Sequence, residues 1–331
     1  MNSFGRIFRI SILGESHGPA VGVVIDGCPA GLPIAASDFE HDLGRRKSGA
    51  RGTTPRTEAD APELISGLFN GFTTGAPITV LFENRNVRSS DYSRLRDTPR
   101  PGHADFVASR KFGGFQDFRG GGHFSGRLTL AIVAAGVVAK KLLGNMNIKA
   151  RLIEAGGMSD VEKAVAQAIE MEDSIGGIVE CVVNQVPVGL GEPFFDSMES
   201  QLSHIVFAIP AIKGIEFGSG FAASAMKGSE HNDNIVDASG KTETNHAGGI
   251  NGGITNGNDL VFRVAVKPTS STSRSQRTMN MKTGRVEELK IEGRHDRCIA
   301  LRVPPVLEAA TAIVLADFVL MEQQIKRVIK A

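Results

Sequence analysis

The sequence predicts a soluble α/β protein with helices buried against sheets, and three observations carry that prediction. Short apolar runs alternate with helical stretches along all 331 residues. Two of the helical stretches are apolar almost all the way round, as elements covered on every side must be. No Pro/Ser-rich linker or low-complexity tract divides the chain, so one large domain over residues 1–331 is expected.

In chain order the strand-like runs are 7–13 (IFRISIL), 21–26 (VGVVID), 77–83 (PITVLFE), 178–186 (IVECVVNQV) and 260–266 (LVFRVAV). The last alternates polar and apolar positions as a half-buried strand does. Helix starts are marked by caps. Ser37 with Glu40, and Ser159 with Glu162, match the S-x-x-E capping box, in which side chains satisfy amides that a helix start leaves open. A third helix, from about 125 to 143, ends at Gly144 with Lys140 and Lys141 in its last turn, where cations suit the helix dipole. A fourth spans 306–329, and its near-continuous apolar surface implies burial against a sheet or a partner subunit. No repeat of solenoid period is present.

Composition narrows the function classes. The 37 basic and 36 acidic residues leave no excess for wholesale binding to nucleic acid or an anionic membrane, so any charged site is local. The chain has no Trp and one Tyr, which argues against a base-stacking surface. The longest strongly apolar run, LTLAIVAAGVVA, is about half of what spans a bilayer and reads as a core helix. The N-terminus lacks the pattern of a secretory signal, and Cys28, Cys181 and Cys298 cannot form a fully paired disulfide framework, so a cytoplasmic setting is expected. Glycine is abundant at 39 residues and clustered, which suits loops pressed against a ligand and equally suits tight turns.

Five clusters could carry chemistry. GESHG, Gly14 to Gly18, presents Glu15, Ser16 and His17 between glycines just after a strand, so His17 is either a catalyst or an ordinary turn residue. Arg45, Arg46, Lys47, Arg51 and Arg56 crowd the end of the first capped helix and the Gly/Ser/Thr-rich loop after it. Guanidinium forks suit phosphate and carboxylate, although a solvated basic surface is the alternative. RPGHADF fixes a turn immediately before His103 and Asp105, where an imidazole beside arginine could move a proton. FRGGGHFSGR leads into the third helix, and consecutive glycines at a helix start crowd backbone amides around an anion. Late in the chain, Lys267 precedes Pro268, Thr269, Ser270 and Ser271, while Arg294, His295 and Asp296 set a cation, an imidazole and a carboxylate side by side. GSGFAA at 218–223 fits the GxGxxA dinucleotide pattern, but no long helix or acidic partner follows, so a Rossmann unit is rejected. Without CxxC or HExxH, no metal site is expected. An FMN- or NADPH-dependent oxidoreductase and a polyanion-binding protein stay open on these residues alone.

Taken together and in order, FGRIFRISILGESHG, EHDLGRRKSG, SGLFNGFTTGAPI, RPGHAD, RGGG, EDSIGG, GLGEPFFD, AIPAIKGIEFGSGF, NHAGGINGGITNG, KPTSS and GRHDRC resemble the chorismate synthase family over residues 5–317. The resemblance implies a β-α-β sandwich, with helices between mixed or antiparallel sheets, assembled as a homotetramer. It implies a lyase of the shikimate pathway: 5-enolpyruvylshikimate 3-phosphate loses phosphate and its C6 hydrogen in an anti 1,4-elimination. Reduced FMN (FMNH2) is required without net redox change, and NADPH or a separate flavin reductase is the implied source of its electrons. Carried over by position, His17 serves the departing phosphate, His103 the flavin's protonation state, and Asp296 the removal of the C6 hydrogen. Arg45, Arg46 and Arg51 match positions for substrate anions and NADP. His123, Phe124, Ser125, Pro210, Ala211, Gly252, Lys267, Pro268, Thr269, Ser270, Ser271 and Arg294 match flavin positions. The chain departs from the pattern where His123-Phe124-Ser125-Gly126-Arg127 stands for arginine-serine-serine-alanine-arginine. It departs again at Arg297, where the family carries proline, and in a segment 144–173 shorter than in many relatives.

Overall fold

The computed structural model describes residues 2–54, 58–86, 92, 94–291, 295–324 and 327. Its first half holds β1 (Ser3–Phe4), β2 (Arg9–Gly14), β3 (Ala20–Asp26), α1 (Glu40–Arg46), β4 (Glu63–Ser66), the hairpin β5–β6 (Leu68–Phe69, Phe72–Thr73), β7 (Ile78–Glu83), α2 (Asp105–Lys111) and α3 (Thr129–Leu143). The second holds β8 (Asn147–Ala155), α4 (Val161–Glu170), β9 (Gly177–Asn184), α5 (Met198–Val206), β10 (Ile212–Phe217), α6 (Gly228–His231), the hairpin β11–β12 (Ile250–Asn251, Ile254–Thr255), β13 (Leu260–Val266), the hairpin β14–β15 (Gln276–Asn280, Arg285–Leu289) and α7 (Val303–Gln324).

Five strands form one sheet in the order β1-β2-β3-β7-β4, and four form another in the order β10-β13-β9-β8. Every neighbouring pair in both sheets is antiparallel. Their inward faces follow the period of two: Val21, Val23 and Ile25 on β3, Val179, Cys181 and Val183 on β9, and Leu260, Phe262, Val264 and Val266 on β13 are all buried. Helix α3 covers the first sheet, α7 covers the second, and the two helices pack on each other. The layers are therefore sheet, helices, sheet.

The helices meet closely because Gly136 has no side chain; a Cβ there would sit 2.5 Å from the Ala309 Cα. The stretch Ile299–Gln324 is long and apolar enough to cross a membrane, yet 89% of its most apolar window is buried inside the protein. Its apolar surface is thus covered within the chain by α3, α5, β8 and β9. It begins at Val303, three residues earlier than expected, with Pro304 and Pro305 in a first turn where missing amides leave no bond unmade.

Two carboxylates of α7 tie distant segments to this layer. Asp317 accepts the amides of Arg6, Ile7 and Phe8 at 2.8, 2.7 and 2.9 Å. Glu308 accepts both arms of Arg45 (2.6 and 2.8 Å), Lys140 (3.0 Å) and the Ala150 amide (2.9 Å). Burial opposes ionisation of Glu308, but these donors outweigh it and hold its carboxyl below the usual range.

The caps differ from the sequence expectation in detail. Asp38, in a 3-10 turn ahead of α1, reaches back to the Ala35 amide at 2.8 Å, so Ser37 is not the cap. Asp160, one residue after Ser159, caps α4 through the Lys163 amide at 3.0 Å. Aspartate prevails because its full charge meets the positive helix end. Lys140 and Lys141 do more than face a dipole, since they pair with Asp42 and Asp38, each at 2.7 Å. Replacing Gly136 with Val forces α3 and α7 apart, and calorimetry should show a loss of about 1–3 kcal/mol; an unchanged melting temperature contradicts the close approach.

Candidate active site

The GESHG segment is the loop between β2 and β3, and it is bonded directly to the triple-glycine turn. Gly14, at φ 91, closes the strand where a Cβ would strike the Ala20 carbonyl at 2.2 Å. The Ser16 amide donates to the Gly122 carbonyl at 3.1 Å. Gly120, Gly121 and Gly122 all take positive φ (59, 81 and 53°), which L-side chains rarely adopt. That backbone leaves room for two imidazoles. A Cβ on Gly120 would lie 2.5 Å from the His17 ring, and one on Gly121 would lie 3.4 Å from the His103 ring. Tyr92 stands edge-to-face on His17 with centroids 5.1 Å apart.

His103 is oriented by its own turn. Its Nδ1 lies 2.6 Å from Asp105 Oδ1. Arg100 grips the same carboxylate through Nε (2.7 Å) and Nη2 (2.8 Å), and gives Nη1 to Ser271 Oγ at 3.0 Å. Burial works against the Asp105 charge, but the bonds from Arg100 and His103 prevail and hold this carboxyl far below its ordinary range. An ionised Asp105 accepts a hydrogen bond from Nδ1–H, which leaves Nε2 as the nitrogen not engaged by Asp105.

These elements line a cavity of about 560 Å³, a size suited to small-molecule ligands. Among the described residues its wall carries six cations, Arg46, Lys47, Arg100, Arg127, Lys267 and Arg302, against three carboxylates, Glu58, Asp60 and Asp296. Buried Asp60 bridges two of them, Arg127 at 2.5 Å and Arg46 at 3.6 Å. Arg46 also donates to Thr129 Oγ1 (2.9 Å) and the Gly126 carbonyl (3.0 Å). Burial, with Arg302 and Arg127 nearby, pushes its guanidinium down to about 9, still a cation at neutral pH. Asp296 accepts the Thr54 amide at 2.9 Å and faces Arg302 at 3.4 Å. The surplus is positive, so the fitting guest carries several negative charges.

A family model described as chorismate synthase matches residues 8–320. The chain belongs to the chorismate synthase family. It is 66% identical to the chorismate synthase of Chitinophaga pinensis over the whole of both chains. It is 48% identical to that of Dehalococcoides mccartyi over 99% of each, and 43% identical to that of Methanocaldococcus jannaschii over 97% of this chain and 96% of the other. A crystal structure of a chorismate synthase superposes with a TM-score of 0.74 at 26% identity, covering 96% of this chain and 93% of that one. The activity is accordingly that of a carbon-oxygen lyase of the shikimate pathway, converting 5-enolpyruvylshikimate 3-phosphate to chorismate for aromatic amino acid synthesis. The family is flavin-dependent.

Of the residues expected from sequence, the fold brings His103, Arg46, Asp296, His123, Phe124, Ser125, Pro210, Ala211 and the run Lys267, Pro268, Thr269, Ser270 and Ser271 to the cavity wall. His17 stands just behind it, against Gly120 and Tyr92, which line it. Arg45 does not face the cavity. Adjacent helix residues point about 100° apart, and Arg45 turns to Glu308 on the other side of α1. Arg51 is exposed and does not line the cavity, and Gly252 lies in the turn of the β11–β12 hairpin. Arg56 and Arg294 fall outside the described residues. Asp60, Arg302 and Tyr92 went unnoticed in the sequence, as did the pairing of Arg127 with Asp60, because partners 67 residues apart leave no local pattern.

The wall fits a phosphorylated flavin. Lys267 Nζ donates to Ser270 Oγ at 2.7 Å and the Gly102 carbonyl at 3.2 Å. Thr269 Oγ1 is buried with no hydrogen-bond partner among the described residues, which leaves a hydroxyl for a ligand to satisfy. Beside it Ala211 holds φ 77, an unfavourable backbone for a non-glycine residue of the kind that gathers at ligand sites. Arg297 replaces the family proline with a backbone amide that donates to the Gly52 carbonyl at 2.8 Å, a bond proline cannot make.

Gly120→Ala should displace His17 and lower kcat by about a hundredfold; wild-type turnover contradicts the packing. Asp105→Asn should cost about 3 kcal/mol at neutral pH, since it leaves Arg100 without its counter-charge. Because the folded carboxyl is depressed, this contribution is full above about pH 4 and fades as pH falls below that value. Urea melts at pH 7 and pH 3 check this, and an equal difference at both pH values rules it out.

Proposed function

We propose that the cavity binds reduced FMN and 5-enolpyruvylshikimate 3-phosphate together, and that His17, His103 and Asp296 carry the proton movements of the elimination. The observation that supports this most is the convergence of His103 and six cations on one cavity, with His17 just behind its wall against Gly120. Arg46, Arg127 and Arg302 face the anionic groups of the substrate, because Asp60 and Asp296 neutralise only part of their charge. His17, set by Gly120 and Tyr92, protonates the departing phosphate. Asp296, fixed by the Thr54 amide and Arg302, takes up the proton released as C6 loses its hydrogen, and the C6–H electrons complete the new double bond.

Pro210, Ala211, Lys267, Thr269, Ser270 and Ser271 form the flavin wall, with Phe124 and Ser125 at its edge. Reduced FMN supplies the electron density that stabilises an electron-deficient ring as the allylic phosphate leaves. His103 Nε2 governs the protonation state in which the flavin is held. NADPH is the ultimate reductant, drawn on directly or through a separate flavin reductase.

The chain works as one catalytic domain, a reading supported by a hydrophobic core contiguous across both sheets and the helical layer. It assembles as a homotetramer in the cytoplasm. Exposed Phe115, Phe194, Phe195 and Phe221 supply apolar surface for subunit contacts. Anaerobic incubation with reduced FMN should release phosphate and chorismate in equal amounts with no net flavin oxidation. His17→Ala should stop phosphate release while flavin still binds, and Asp296→Asn should stop C6 hydrogen loss. Wild-type rates in both variants would overturn the assignment.

A further inference from the structure

We propose that His123, where the family pattern has arginine, is a positioning residue that clasps the His17 loop. Its Nδ1 meets the Gly14 carbonyl at 2.9 Å, at the entry to that loop. Its Nε2 meets the Asn2 side-chain amide at 3.0 Å. Asn2 is itself anchored, since its carbonyl accepts the Ile12 amide at 2.9 Å and the following strand β1 pairs with β2. One ring therefore joins three segments: the N-terminal strand, the end of β2 and the triple-glycine turn.

The geometry holds in either charge state. With Nδ1–H given to Gly14, a protonated ring donates through Nε2 to Asn2 Oδ1, and a neutral ring accepts from the Asn2 NH2 once that amide is turned over. The residue just before it in the turn makes the matching tie, for the Gly122 carbonyl accepts the Ser16 amide at 3.1 Å. The loop is thus pinned at Gly14 and Ser16, on the approach to His17. Both ring nitrogens are committed to protein groups, so the imidazole offers the cavity its carbon edge and no hydrogen bond. Phe124, which also lines the cavity, packs beside Phe112 with ring centroids 6.3 Å apart.

This inference rests on the proposed role of His17, and its test separates the two. The full-length enzyme is assayed at saturating reduced FMN, FMN affinity is read by flavin fluorescence, and amide hydrogen exchange is followed over residues 14–18. His123→Ala should lower kcat about tenfold or more, change the FMN Kd by less than about threefold, and speed exchange of the Ser16 amide. His123→Gln, whose amide can still donate to the Gly14 carbonyl, should recover most of kcat and guards against a folding defect. Asn2→Ala should give a smaller loss and add nothing to His123→Ala. A raised FMN Kd with unchanged kcat at saturation would make His123 a cofactor contact and overturn the clasp, as would unchanged exchange. Failure of the wild-type enzyme to release phosphate would sink the role of His17 while leaving the exchange result to decide the clasp.

Discussion

The site depends on three consecutive glycines whose backbone runs left-handed. At Gly120 and Gly121 the αL conformation costs most L-residues about a kilocalorie or more, and Gly122, at φ 53 and ψ −126, lies outside their allowed regions. The absence of Cβ atoms lets His17 and His103 approach the same turn from different segments, while the Gly122 carbonyl ties down Ser16. A loop of this kind does not hold itself. It is supported by α3, which follows through a 3-10 turn over Gly126–Leu128 that Ser125 caps, and by Arg46, which spans from Gly126 to Thr129.

Charge is distributed so that structure and chemistry draw on different members of the same cluster. Arg45 and Arg46 are neighbours on α1, yet one is neutralised by buried Glu308 and the other is left short of carboxylate in the cavity. Burying an uncompensated guanidinium is unfavourable, and the lowered affinity of Arg46 for its proton records that. An anion bound in the cavity would relieve the same imbalance, so anion binding and the stability of the occupied site would be linked. Arg100 stands apart. Its fork is filled by Asp105, and its function is to hold the turn that presents His103.

Much of this was legible in the sequence where the signal is local. The alternation in 260–266 and the apolar runs of 21–26 and 178–186 became β13, β3 and β9, and the buried helices followed from apolar surfaces all round. The RPGHAD turn also read correctly as rigid, because its proline, glycine and ion pair lie within six residues. Long-range pairing was not legible. Nothing near Arg45 marks Glu308 as its partner, and nothing near Arg127 marks Asp60. Strand β8, with Lys149, Arg151 and Glu154 exposed or half-buried along a sheet edge, carries too many charges to read as a strand. The α4 cap slipped by one residue, from Ser159 to Asp160, because either could take the position, while the turn ahead of α1 is capped at Ala35 with Asp38 reaching back to it.

The most direct test is a crystal structure of the enzyme with FMN and 5-enolpyruvylshikimate 3-phosphate. It should show both molecules in the one cavity, with Thr269 Oγ1 gaining a bond to the flavin and the substrate's anions against Arg46, Arg127 and Arg302 within reach of His17. Ligands seated elsewhere, or His17 and His103 remote from both, would contradict the account.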